Sequence, residues 1–247
     1  MKLIGMIHLK ALPGYPQHEG MQAIIAKALE DAVALEQGGV DAILIENTDD
    51  DPHRKVVGPE TVSAYTIVAK EVKHKIKVPL GICVLWNDYK AALAIAKIVG
   101  CDFVRIPVFT EAVLTASGII EGNPYDAITY RECIKASKVR IMADVQVKHA
   151  TMLAKRPIEE SAKEALHFGA DEIIITGRYT GDCPNLDELR KVRESCPNAT
   201  IVIGSGVTPK NISELKKYAD AAIVGTYFKE GDNIIIEKVI SLKSMAR

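Results

Sequence analysis

A chain of 247 residues, 48% of them hydrophobic and 26% charged, can bury a large core unaided and has close to the ~250 residues of an eight-unit α/β barrel. A formal net charge of −1 offers no basic field to nucleic acid or to an anionic membrane. Five separated cysteines without a C-x-x-C pair fit reduced thiols and a cytoplasmic setting. The start, Met1–His8, is too short and too mixed in polarity for a signal sequence. No run reaches the roughly 18 apolar residues of a membrane span.

Short apolar runs alternate with segments of helical period along the whole chain, which predicts βα units and a parallel sheet. Strands are expected at 2–8, 41–46, 79–85, 102–106, 139–145, 172–176, 200–204 and 221–225. Helices are expected near 20–37, 59–75, 88–99, 125–137, 158–168, 185–195, 209–217 and 233–244. Eight strands, each followed by a helix, predict an α/β fold with a single (β/α)8 TIM-barrel domain over residues 1–247. A two-unit repeat supports that count. A turn residue, then Asp, then an apolar run opens every even strand, at Asp41, Asp102, Asp171 and Asp220. Those aspartates fall on the stability face of a barrel and are given no catalytic role.

Two connections exceed the usual two to six residues, Leu9–Gly20 and Pro107–Pro124. Both follow strands on the catalytic face, where they form lids or substrate walls, or pack against another subunit.

Anion chemistry is signalled at the last two strands by Gly204-Ser205-Gly206-Val207-Thr208-Pro209 and Val224-Gly225-Thr226. Glycines admit an anion to backbone N–H groups, and barrels frequently build their phosphate site here. The plainer alternative is a pair of tight turns, with Thr208 capping a helix from Pro209. As the phosphate site we take Gly204, Ser205, Gly206, Val207, Gly225 and Thr226. A bulky residue at Gly206 is expected to abolish binding and leave the fold intact.

Polar residues end the other strands, as catalytic groups of barrels do. They are His8, Glu46 with Asn47, Asn87 with Asp88, Arg105, Asp144 and Thr176. Asp88 also reads as a helix cap, Asn47 as an Asx turn and His8 as a core histidine. Glu46, directly after Ile43-Leu44-Ile45, faces the open mouth or is buried at a cost, so it is the first choice for a general base or a metal ligand. If the fifth strand continues, alternation sets Asp144, Gln146 and Lys148 on one side. A carboxylate and an amine so placed serve proton transfer, anion binding or imine formation. The expected catalytic set is Glu46, Asp144, Lys148 and His8, with Asn47, Asn87, Arg105, His149 and Thr176 contacting substrate. Lys148 is expected to act as a cation, orienting the substrate or pairing with Asp144, which would raise its pKa and disfavour an imine. No zinc spacing is present. A divalent ion on Glu46, Asp144 and His149 has no support from spacing, and neither metal nor cofactor is expected.

These motifs together resemble the BtpA/SgcQ family, named partly for a photosystem I biogenesis protein. The matching stretches are Ile4–Leu9 with Leu12-Pro13-Gly14, Glu46-Asn47, Val57–Thr61, Val78–Ile82 with Asn87-Asp88, and Gly118–Gly122. Ala143-Asp144-Val145 with Lys148-His149-Ala150, Gly204–Thr208 and Ile223–Thr226 complete them. The chain departs at Trp86 and Pro107, where the family pattern has Arg and Asn. The resemblance implies a barrel enzyme of unassigned reaction and carries over no catalytic residue. The functional expectation is an isomerase, lyase or aldolase-type catalyst on a small phosphorylated metabolite, phosphosugar or nucleotide-derived. The alternative is a non-catalytic assembly or regulatory factor of the membrane-biogenesis type. The expected partner is the phosphorylated substrate; nucleic acid and membrane insertion are not expected, and a homo-oligomer is left open.

Overall fold

Successive residues of each strand meet two different apolar environments, and that alternation closes the sheet. The computed structural model describes all 247 residues. The strands are β1 (Lys2–His8), β2 (Ala42–Glu46), β3 (Leu80–Cys83), β4 (Phe103–Ile106), β5 (Arg140–Val145), β6 (Glu172–Ile175), β7 (Ile201–Ile203) and β8 (Ala221–Val224). All neighbours pair in parallel and β8 returns to β1, forming a closed (β/α)8 barrel. Ile4, Met6, Ala42, Leu44, Phe103, Met142, Ile174, Val202 and Ile223 form the inner core. The intervening residues, such as Leu3, Ile7, Ile43, Ile45, Ile173 and Ile175, join the larger core beneath the helices. The same alternation carries His8, Glu46, Arg105 and Asp144 inward at the C-terminal ends of their strands.

Helices α1 (Met21–Gln37), α2 (Pro59–Lys75), α3 (Tyr89–Val99), α4 (Pro124–Cys133), α5 (Ile158–His167), α6 (Leu186–Ser195), α7 (Ile212–Leu215) and α8 (Ile236–Ala246) follow the strands in turn. Helix α4 stops short of the expected 137, with Lys135 at φ 54° just beyond its end. Only four residues of the expected 209–217 segment form α7. No helix is long and apolar enough to cross a membrane.

The four aspartates of the repeat make one contact four times. Asp41 accepts from the Leu3 amide at 2.6 Å, Asp102 from Leu80 at 2.9 Å, Asp171 from Ile141 at 2.8 Å and Asp220 from Ile201 at 2.8 Å. In each pair the Asp amide donates back to the same residue's carbonyl. A helix cation completes every clamp: Lys243 of α8 on Asp41, Lys73 of α2 on Asp102, Arg131 of α4 on Asp171 and Arg193 of α6 on Asp220. Each clamp therefore ties an odd strand to the next even strand and to a neighbouring helix, at the end away from the mouth.

The two long connections behave differently from one another. Leu9 and Leu12 belong to the core beneath the helices and Tyr15 is buried, so the first part of Leu9–Gly20 packs down, and none of its residues lines the cavity at the mouth. The stretch after β4 is not irregular. It folds as a hairpin, Ala112–Thr115 against Gly118–Glu121, extended by Thr151–Met152. Val113 and Ile120 pack on Val108 and Val147, while Leu114 and Ile119 face outward. This alternation is the strand period that the length of the connection concealed.

Replacing Asp171 by Ala should cost about 1–2 kcal/mol, the scale of a lost backbone hydrogen bond with a partly exposed charge. Chemical denaturation should show that loss, and ligand binding at the opposite end should not change.

Candidate active site

At the mouth lies a cavity of about 630 Å³, within the usual size of a small-molecule site. Its floor is ionic. Arg105 on β4 grips both oxygens of Asp144 on β5, Nε to Oδ1 and Nη2 to Oδ2, each at 2.8 Å. Its Nη1 reaches Glu46 Oε2 on β2 at 3.2 Å. All three are buried, yet only Arg105 and Glu46 line the cavity. Asp144 is spent on Arg105, does not line the cavity and makes no ion pair with Lys148.

Burial alone would raise the Glu46 carboxyl, but Arg105, His8 and Lys148 outweigh it and hold the group below its ordinary value. Thr48 also donates to Glu46 Oε1 at 3.3 Å. Lys148 lies past the end of β5 and lines the cavity. Burial, then repulsion from Arg105, pulls its pKa down against Glu46 and Asp144. The expected rise is thereby reversed, because burial and the Arg105 charge outweigh the two carboxylates. His8, on the same wall, falls to about 4 through burial and the nearby Lys229, and is neutral at pH 7.

The chain turns at Gln146, φ 52°, and again at His149, φ 60°, so Asp144, Gln146 and Lys148 do not share a strand face. Gln146 points back to the Arg156 carbonyl and Ser161. His149 lines the cavity and its Nε2 meets Thr180 Oγ1 at 2.9 Å. With Arg105 between the carboxylates and His149 on Thr180, these side chains do not converge on a metal.

Three expected substrate contacts are instead engaged in hydrogen bonds within the fold. Asn47 accepts from the Leu85 amide and donates to Asp50. Asn87 exchanges both its amide hydrogen bonds with Val108, each 2.8 Å. Thr176 accepts from the Lys148 amide at 3.1 Å, which makes it a brace for that lysine. None of the three lines the cavity. Asp88 caps α3 through Ala91 and holds Val57.

On the far side the cavity is bounded by Gly204–Thr208 and Val224–Tyr227. The amides of Ser205, Gly206, Val207 and Gly225 donate to no protein acceptor. The Ser205 hydroxyl is not free, since it joins the Gly177 amide to the Asp182 carbonyl. Asn211, absent from the sequence reading, bridges the Thr208 amide and the Gly206 carbonyl, both at 2.8 Å. A Cβ on Gly206, at φ 72°, would lie 2.2 Å from Cys183 N and 2.3 Å from Asp182 C. Its substitution would therefore force the β6–α6 loop away, and the expectation of an intact fold does not hold. At Gly225 a Cβ would stand 2.8 Å from His8 Cε1, so that glycine makes room for the imidazole.

The chain belongs to the BtpA family, whose model matches residues 1–244. It is 41% identical to an uncharacterised protein of Archaeoglobus fulgidus over 96% of this chain and 95% of that one. It is 39% identical to the photosystem I biogenesis protein BtpA of Synechocystis over 94% and 82%, and 31% identical to the putative sgc region protein SgcQ of Escherichia coli over 92% and 86%. In fold it is similar to the tryptophan synthase complex of Pyrococcus furiosus, with a TM-score of 0.65 at 15% identity over 98% of each chain. It is also similar to thiamine phosphate pyrophosphorylase of the same organism, with 0.62 at 18% over 99% and 95%.

Replacing Arg105 by Met should destabilise the fold by about 3–5 kcal/mol, because two buried carboxylates lose their counter-charge. Thermal or urea unfolding measures it. His8 gives a pH effect of known sign. Its folded pKa lies below its unfolded one, so stability is full above pH 6.5 and is lost as pH falls towards about 4. His8→Gln should flatten the stability–pH curve within that window, measured by denaturation at successive pH values.

Proposed function

We propose that this protein is an enzyme acting on a small phosphorylated metabolite, as an isomerase, lyase or aldolase-type catalyst. The observation that carries this reading is the set of unpartnered amides of Ser205, Gly206, Val207 and Gly225 beside a charged cavity. Backbone N–H groups left without acceptors are costly, and an anion satisfies several of them together. The two loops belong to β7 and β8, where barrels frequently hold phosphate. Thiamine phosphate pyrophosphorylase, a fold neighbour, is named for a phosphate compound. That is support by analogy of fold.

With the phosphate on those amides, the rest of the ligand extends over Glu46 and Lys148. Glu46, kept ionised, accepts a hydrogen bond from a substrate hydroxyl or holds a developing positive charge. Its lowered pKa makes it a weak base. Lys148, whose pKa burial and Arg105 depress, gives up its proton more readily than an ordinary lysine and is the better candidate for moving one. Asp144 positions Arg105 and touches no substrate. An assembly role, which the name of the Synechocystis relative states for that protein, gives no use to free amides facing buried charges.

Titration of ¹⁵N-labelled protein with inorganic phosphate and then ribose 5-phosphate tests the reading. The amide signals of Ser205, Gly206, Val207 and Gly225 should shift together and saturate. Ligand binding should also raise the melting temperature. Unmoved amides at millimolar ligand would dismiss the phosphate site.

A further inference from the structure

The mouth of the cavity is divided in chemistry. Free amides and the Thr226 side chain lie at the β7 and β8 ends, and Glu46, Arg105 and Lys148 form the floor. The wall after β3 and β4 is made by Leu85, Trp86, Pro107 and Ala116, and Thr48 and His53 line the cavity from the loop after β2. In the closed ring β3 stands four strands from β7 in either direction, so Trp86 and the amide loop are diametrically opposed. Trp86 is half-buried and packs against the hairpin cluster of Val108, Val113, Ile120 and Val147. Its backbone is pinned too, with the amide donating to the Arg54 carbonyl at 2.9 Å.

A phosphate and a sugar occupy the amides and the charged floor and leave that opposite wall uncovered. More sugar does not suit the indole face itself, since hydroxyls buried against apolar side chains lose their water partners without replacement. A flat indole held by a packed cluster is instead a surface for stacking a ring. Resting on the phosphate reading above, we propose that the substrate is a phosphorylated sugar, or a comparable phosphate ester, carrying a planar heterocycle or arene that stacks on Trp86. The reacting atoms then lie between ring and phosphate, above Glu46 and Lys148. Trp86 is a specificity residue in this scheme and takes no part in proton transfer.

Trp86 is the sole tryptophan of the chain, so its fluorescence reports the wall directly. Ribose 5-phosphate, adenosine 5′-monophosphate, uridine 5′-monophosphate and 1-naphthyl phosphate would be titrated, with adenosine as the phosphate-free control. At least one ring-bearing phosphate should quench the indole and bind about tenfold or more tighter than ribose 5-phosphate, the scale of one base stacked on an aromatic side chain. Trp86→Ala should remove that advantage and spare ribose 5-phosphate binding, whereas Trp86→Phe should keep most of it. The wild-type comparison stands alone if the alanine variant does not fold. Equal affinity for ribose 5-phosphate and every ring-bearing ligand would overturn the proposal, as would an equal loss for both classes in Trp86→Ala. Quenching by adenosine with no amide shift from any phosphate would keep the aromatic platform and remove the phosphate site. Absence of binding by every ligand would remove both.

Discussion

The site depends on one guanidinium. Arg105 lies among apolar layers and is the counter-charge for two carboxylates on different strands, Asp144 and Glu46. Taking three charges out of water is costly, and apolar replacements of similar volume often give an equally stable core. What the cluster supplies here is chemistry. Arg105 holds Glu46 ionised despite its burial. It also repels the Lys148 ammonium and helps to bring that amine below its ordinary pKa. The bidentate grip on Asp144 fixes the guanidinium plane, so the remaining Nη1 points at Glu46.

The two ends of the barrel divide stability from function. At the closed end the aspartate clamps repeat with the two-unit period, and each binds strand to strand and strand to helix with the same atoms. At the open end, local hydrogen bonds stiffen loops without using the groups a ligand would need. Asn211 and Ser205 satisfy carbonyls and amides around Gly206, while the Ser205–Val207 amides stay free. Rigid loops with unspent donors need little reorganisation on binding. Gly206 serves that rigidity through its close approach to Asp182 and Cys183, a role that a Gly-rich motif does not disclose.

Much of this was legible in the chain. Strand spacing, the Asp-led repeat and the ring of polar strand ends follow from periodicity, because a strand's side chains alternate and a helix's recur every 3.6 residues. Those local rules placed His8, Glu46, Arg105 and Lys148 at the mouth, where the structure has them. The same rules could not separate Asn47, Asn87 and Thr176 from them. All three also end strands, and their partners Leu85, Val108 and Lys148 lie on other units.

The sequence by itself determined the barrel, the stability face and which residues reach the open end, since each follows from contacts between near neighbours or from a repeating pattern. Only the tertiary structure decided what those residues face. Arg105 meets Asp144 across 39 residues and Glu46 across 59, and that pairing withdraws one carboxylate and depresses the pKa of the other. The hairpin after β4 was hidden for a similar reason. Its alternation has meaning only against Val108 and Val147, which the closed barrel brings beneath it. Charge pairing and burial act through space, and separation along the chain says nothing of it until the sheet has closed.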